Sequence, residues 1–288
     1  LWNEHKDAKI SEEKARTGYQ KTVRGFFQSQ RFRNKSTWPQ YTPLVSNRYR
    51  KADNLFTRPE DPYAKGAMLL HMLRQRIGDA AFFKGTQAYL DHYKFGVAET
   101  DDFRREMEAS SGQSLERFFD QWAFRPGLPR LAIELEWNDA TSSLAVGIKQ
   151  TQPINGMNPA FAFSLPIRFK FEDGSFQPVS LDIDATETSA SFKLPSKPSQ
   201  VSVDPGMTII APSTITKELA WWMDELRDGP TYASRIAAAE ALADSLAAIE
   251  NAAVRAALAA AAADDSLDST IRLTASNALT DHLAAKTP

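Results

Sequence analysis

The 288 residues contain no cysteine, which excludes disulfides and thiolate metal sites and leaves the redox compartment undetermined. Histidine is scarce as well: His5, His71, His92 and His282 are the whole supply. None has a second His or a Glu four residues along, the spacing that sets two ligands on one helix face, and no H-E-x-x-H occurs. Glu4-His5 carries half of such a motif without the rest, and a single nitrogen ligand does not hold zinc. No apolar run approaches the roughly eighteen residues that a membrane span requires. Neither sign of charge dominates, with 34 Lys plus Arg against 36 Asp plus Glu and a net charge of −2. That balance supplies no electrostatic reason for nucleic acid or an anionic membrane as a partner. There is no glycine-rich phosphate loop, and Ser110-Ser111-Gly112 reads as a helix end without the context of a nucleophile elbow. The chain opens L-W-N-E-H, without an initiator Met or a leader, so we expect a processed or excised piece whose compartment stays open.

What is present is globular in character: 42% hydrophobic and 24% charged residues, at a length that accommodates about two domains. The stretch around which the rest is organised runs from Asp61 to Gly78. Asp61 can cap a helix, Pro62 suits its first position because the missing N–H has no partner there, and Gly78 can close it. Gly66, Leu69, Leu70, Leu73 and Ile77 fall on one stripe at helical spacing. Tyr63 lies in the first turn, where unpaired N–H groups and the positive end of the helix dipole gather. A phenol there can donate a hydrogen bond to a developing oxyanion; ordinary packing is the alternative.

Ser11 can cap an earlier helix in which Ala15, Tyr19, Val23, Phe26 and Phe27 share a face. Arg31 to Arg58 is polar, aromatic and punctuated by proline, with no sustained period, as in a segment that wraps a surface. Beyond Gly78, the sequence predicts helices capped by Asp79, Thr100 and Ser114, the last with Leu115, Phe118, Phe119 and Trp122 on one face. Arg125-Pro126-Gly127-Leu128-Pro129 cannot continue a helix and marks a boundary.

The period then becomes two. Leu131, Ile133, Leu135 and Trp137 alternate with polar or small residues, as do Phe161 through Phe171 and Leu144, Val146 and Ile148. Phe176, Val179, Leu181 and Ile183 form a less regular run, and shorter ones lie at Ser191–Leu194 and Val201–Val203. Glu172-Asp173-Gly174-Ser175 is a hairpin turn, and Pro166 points to an edge position for its strand. Six or so such strands predict a small antiparallel sandwich. From Ser213 an alanine-rich helical region is expected. Arg235-Ile-Ala-Ala-Ala-Glu-Ala-Leu-Ala-Asp244 recurs in outline as Arg272-Leu-Thr-Ala-Ser-Asn-Ala-Leu-Thr-Asp281, and the pattern resembles HEAT-like α-solenoid units, an interaction or capping surface. Chance matching in an alanine-rich region is the other explanation.

The run Y-A-K-G-A-M-L-L-H-M-L-R-Q-R-I-G-D-A-A-F-F, from Tyr63 to Phe83, resembles the tyrosine-bearing helix of the aminopeptidase N-like zinc metallopeptidases, the gluzincin aminopeptidases. That family has Y-x-K-G, a Leu-rich helix, G-D and a Phe. Tyr89-Leu90, Thr100-Asp101-Asp102-Phe103, Ser111-Gly112, Leu115, Phe118-Phe119, Trp122 and Pro126-Gly127-Leu128-Pro129 follow in compatible order. The resemblance implies a multidomain α + β chain. Residues 1–129 would be the helical C-terminal half of a thermolysin-like catalytic domain, 130–212 a β-sandwich, and 213–288 a helical HEAT-like domain whose end is left open. It implies a zinc-dependent aminopeptidase acting on peptides, with zinc in the intact parent and none bound by this fragment, because the zinc motif should lie upstream. Tyr63 is then the one catalytic residue carried over, stabilising the tetrahedral intermediate. Lys65 belongs to the same motif without a separate role. The fragment would be inactive alone, with a possible protein partner through the helical repeats. The rival is a non-catalytic relative that binds peptides or serves as a scaffold.

Overall fold

The computed structural model describes residues 12–27, 43–46, 50–51, 53, 62–156 and 158–285. The expected caps Ser11 and Asp61, and the segment 31–58 apart from its few described residues, lie outside that set. Helix α1 (Glu12–Phe27) packs on α2 (Pro62–Ile77), and α2 on α3 (Asp79–Tyr93), which lies along α4 (Thr100–Ser111). In α1, Tyr19 and Val23 are buried as their spacing suggested, while Phe26 is exposed. A short α5 (Glu116–Phe119) runs into a π-helical turn, Asp120–Phe124. Leu115, Phe118, Phe119 and Trp122 are all buried, the core stripe expected of them.

The helix starts differ from expectation by one residue. Gly78, at φ 80°, stops α2 by donating its N–H to the Arg74 carbonyl and is itself the N-cap of α3, so Asp79 is the first helical residue instead of the cap. The N-cap of α4 is Glu99, whose side chain accepts from the Asp102 N–H while Asp102 accepts from Glu99 N–H; this reciprocal box displaces Thr100 inward. Leu115, not Ser114, is the N-cap of α5, its N–H donating to Glu108 Oε1 at 2.6 Å.

Seven strands form two sheets among the described residues. β1 (Leu131–Asn138), β2 (Ser143–Gln150), β5 (Glu187–Lys193) and β7 (Ser213–Thr216) make one, in the order β5-β2-β1-β7. β3 (Phe163–Lys170), β4 (Phe176–Ile183) and β6 (Gln200–Val203) make the other, in the order β4-β3-β6. The helical expectation from Ser213 is corrected: Ser-Thr-Ile-Thr, rich in β-branched residues, runs parallel to Leu131–Glu134, and helix begins only at Leu219. The edge assignment from Pro166 is also corrected, since β3 is central. The proline is tolerated because it ends the β6 ladder, where Asp204 N–H donates to its carbonyl and no reciprocal donor is required. Gly174, at φ 81°, makes the expected β3–β4 turn.

Leu131, Ile133, Leu135, Leu144, Val146 and Ile148 of one sheet share an apolar cluster with Leu165, Ile167, Phe169 and Val201 of the other. Beyond the sheets come α6 (Leu219–Asp228), α7 (Tyr232–Asp244), α8 (Leu246–Ile249), α9 (Ala252–Ala263) and α10 (Ser269–Ala285), around a separate cluster centred on Ile236, Leu242, Val254 and Leu258. α1 reaches this region: Lys21 pairs with Asp268 at 3.0 Å, and Arg24 pairs with Glu240. No described helix is long and apolar enough to cross a membrane.

Candidate active site

Everything at the site hangs on α2. Its stripe is broader than the spacing of Gly66, Leu69, Leu70, Leu73 and Ile77 predicts. Ala64, Lys65, Met68, Leu69, His71, Met72, Leu73 and Arg74 are buried, whereas Gly66, Leu70 and Ile77 are only half-buried. Neighbours on more than one side, α1, α3 and the segment after the π turn, explain the width. Tyr63 is the exception, 71% exposed in the first turn. The dipole places positive potential there, a suitable environment for a phenol facing developing negative charge.

Three polar side chains on the buried side fix the helix. Lys65 has 0% exposure, and its Nζ donates to the carbonyls of Arg125 and Gly127, each at 3.3 Å. His71 faces the Met207 carbonyl through Nε2 at 2.9 Å and the Tyr19 hydroxyl through Nδ1 at 2.5 Å. A carbonyl only accepts, so Nε2 carries the proton, and in the neutral imidazole Nδ1 then accepts from the phenol. Arg74 forms a bidentate pair with Asp79 at 2.8 and 2.7 Å and lies over the Tyr19 and Phe83 rings.

The junction with the sheets is held by two glutamines that sequence reasoning missed. Gln121, in the π turn, donates to the Ala162 carbonyl and accepts from its N–H, imitating a neighbouring strand. Gln150 does the same to Phe161. A lone glutamine has no spacing signature, so nothing in the sequence marks either one. Burial lowers the Arg125 guanidinium below its ordinary value, with Asp120 opposing.

Among the described residues no three His, Asp or Glu side chains gather into a group that could hold a metal. His71 is engaged by Tyr19 and Met207, and His92 by Glu106 at 2.7 Å. These residues do not fit a zinc site.

Residues 10–122, which include Tyr63, Lys65, His71 and Arg74, match the peptidase family M1 domain. They form an M1 aminopeptidase-like segment. Aminopeptidase N of Lactococcus lactis subsp. lactis is 37% identical over 73 residues, 25% of this chain and 9% of that protein. Glutamyl aminopeptidase of Rattus norvegicus is 30% identical over 109 residues, 37% of this chain and 11% of that protein. The aligned part is thus about a tenth of these relatives' length. The crystal structure of Legionella pneumophila aminopeptidase A in complex with aspartic acid superposes with a TM-score of 0.63 at 18% identity. That superposition covers 92% of this chain and 31% of the other, a likeness of fold.

Proposed function

We propose that this chain is part of an aminopeptidase that hydrolyses N-terminal peptide bonds, with the Tyr63 phenol stabilising the oxyanion of the tetrahedral intermediate. One observation carries the reading: the M1-like segment contains Y-x-K-G at a helix start that leaves Tyr63 71% exposed while Lys65, two residues on, has 0% exposure. When a nucleophile adds to a peptide carbonyl, the oxygen acquires negative charge, and a positioned donor lowers the barrier by favouring that charge. A neutral phenol donates without adding charge of its own near neutral pH. Zinc belongs, in this proposal, to the intact protein and to ligands outside the described residues, with none held by this chain; no step here runs through it.

The same reading makes 130–212 a β-sandwich and 213–288 a helical, HEAT-like domain that offers a surface to a protein partner. Support for the first is the apolar cluster shared by the two sheets. Support for the second is that the ion pairs Arg235–Asp228 at 3.9 Å and Arg272–Asp265 at 2.8 Å recur at the offset of the sequence repeat.

The test is Tyr63→Phe in a protein carrying the complete catalytic domain. The ring is kept, so stability should hold. Losing one such donor typically costs about 10²–10³ in turnover, so kcat should fall about a hundredfold with KM nearly unchanged. Hydrolysis of aminoacyl substrates within about fivefold of the unaltered protein would leave Tyr63 without this role.

A further inference from the structure

We propose that Lys65 is a positioning residue for Tyr63: its ammonium ties the first turn of α2 to the segment 125–127 and so holds the phenol where the oxyanion forms. The inference rests on the reading of Tyr63 as the oxyanion donor. Burying an ammonium is costly unless hydrogen bonds replace its water, and Lys65 is buried completely with Nζ on two backbone carbonyls. Neither carbonyl belongs to a helix neighbour. Arg125 and Gly127 lie in the bend between the π turn and β1, where Gly127 takes φ 76°. That bend is itself held, by Arg125 donating to Gln121 Oε1 and to the Pro159 carbonyl at 3.2 Å each, and by the buried Leu128.

The geometry explains why an anchor is required at this position. The first N–H groups of a helix have no partner within it, so the first turn is where a helix frays. Tyr63 is mostly exposed, so its ring adds little buried packing to that turn. Successive helical residues are rotated by about 100°, which places residues 63 and 65 on nearly opposite sides of the axis. Lys65 therefore draws the turn down onto the bend while Tyr63 faces out. A displacement of about 1 Å at a reacting group can cost about a hundredfold in rate, so a loose first turn should show in turnover before it shows in binding.

The experiment is a double-mutant cycle in the protein with its complete catalytic domain, using Lys65→Met, Tyr63→Phe and both together. Lys65→Met should lower kcat about tenfold or more with KM within about twofold. In the Tyr63→Phe background it should lower kcat by less than about twofold, since no phenol remains to be placed. Lys65→Arg, which restores donors at the carbonyls, should recover part of the loss. If the Lys65 loss is undiminished in the Tyr63→Phe background, Lys65 acts independently of the phenol and the proposal is overturned. Activity of Lys65→Met within twofold of the parent overturns it as well. If Tyr63→Phe alone changes nothing, the reading of Tyr63 fails first, and Lys65 has no phenol to position. Should the Met variant fail to fold, Lys65→Gln, which is neutral and keeps an N–H donor, carries the same cycle.

Discussion

Glu225→Gln should unmask a buried charge. Lys217, just after β7, and Glu225, on α6, form an ion pair whose side chains are 1% and 3% exposed. The Lys217 ammonium also donates to the Val201 carbonyl at 2.6 Å and lies 3.8 Å from the centre of the Trp222 ring. Burial pulls its pKa below the ordinary lysine value, and Glu225 is the group opposing that shift. The Gln variant keeps the volume and the burial but removes the opposing charge. Breaking one partner of a buried pair costs about 3–5 kcal/mol, because the remaining charge is desolvated without compensation. The sign with pH follows from proton uptake. A lysine whose folded pKa is depressed carries its full penalty below that folded value and loses it as pH rises to the unfolded value, above which both states are neutral. The cost of Glu225→Gln should therefore be large at pH 7 and shrink toward pH 10. Urea unfolding followed by tryptophan fluorescence suits the measurement, since Trp221 and Trp222 share α6 with Glu225. The double variant Lys217→Met/Glu225→Leu should be near neutral at both pH values, because apolar replacement removes both desolvation costs. A loss below about 1 kcal/mol for Glu225→Gln, or a cost that grows with pH, would refute the reasoning.

Phe169 is fully buried between the sheets with its ring 5.5 Å from that of Phe192, so Phe169→Ala should cost about 3–5 kcal/mol in denaturant unfolding. A cost under about 1 kcal/mol would place it outside the core. Gly85 lies where α3 meets α4, and an added Cβ would stand 2.6 Å from Ser110 Oγ, 2.9 Å from Met107 Sδ and 3.1 Å from the Glu106 carbonyl. Gly85→Ala should therefore destabilise by about 1–3 kcal/mol despite alanine's higher helix propensity; a gain in thermal stability would show the two helices free to part.

The features legible in the sequence are those set by burial along one element. Alternation at Leu131–Leu135 and Leu165–Phe169 reports a strand with one wet face, and Leu115, Phe118, Phe119 and Trp122 report a helix with one dry stripe. Features set by partners distant in sequence were hidden. Pro166 looked like an edge residue because its missing N–H is local information, whereas the end of β6 opposite it is not. Ser213–Thr216 is too short to show a period and is a strand only because β1 lies beside it. The caps slipped for a different reason. Asp79 and Thr100 are good capping types, but the positive-φ turn at Gly78 and the Glu99–Asp102 reciprocity took the cap positions. On α2, the sequence singles out Tyr63 by its motif but gives no sign of the burial of Lys65 and His71, because apolar spacing does not report polar residues that are satisfied across the fold.

Those hidden contacts determine what kind of helix α2 is. An amphipathic stripe alone lets a helix slide or rotate by small steps, because apolar packing is weakly directional. α2 instead carries three directional anchors spaced along its length. Lys65 is set on the bend before β1, His71 on both α1 and the Met207 loop, and Arg74 on the start of α3. The Met207 loop is fixed in turn by Asp204, whose carboxylate accepts from the Thr208 N–H and hydroxyl and the Ile209 N–H. Burial raises the Asp204 pKa while those donors oppose the rise. Each anchor ends on a different stretch of chain, so the axial position and rotation of α2 are set by the segment from α1 to the sheets together. An exposed tyrosine at the start of such a helix therefore has its backbone placed by contacts made elsewhere along α2.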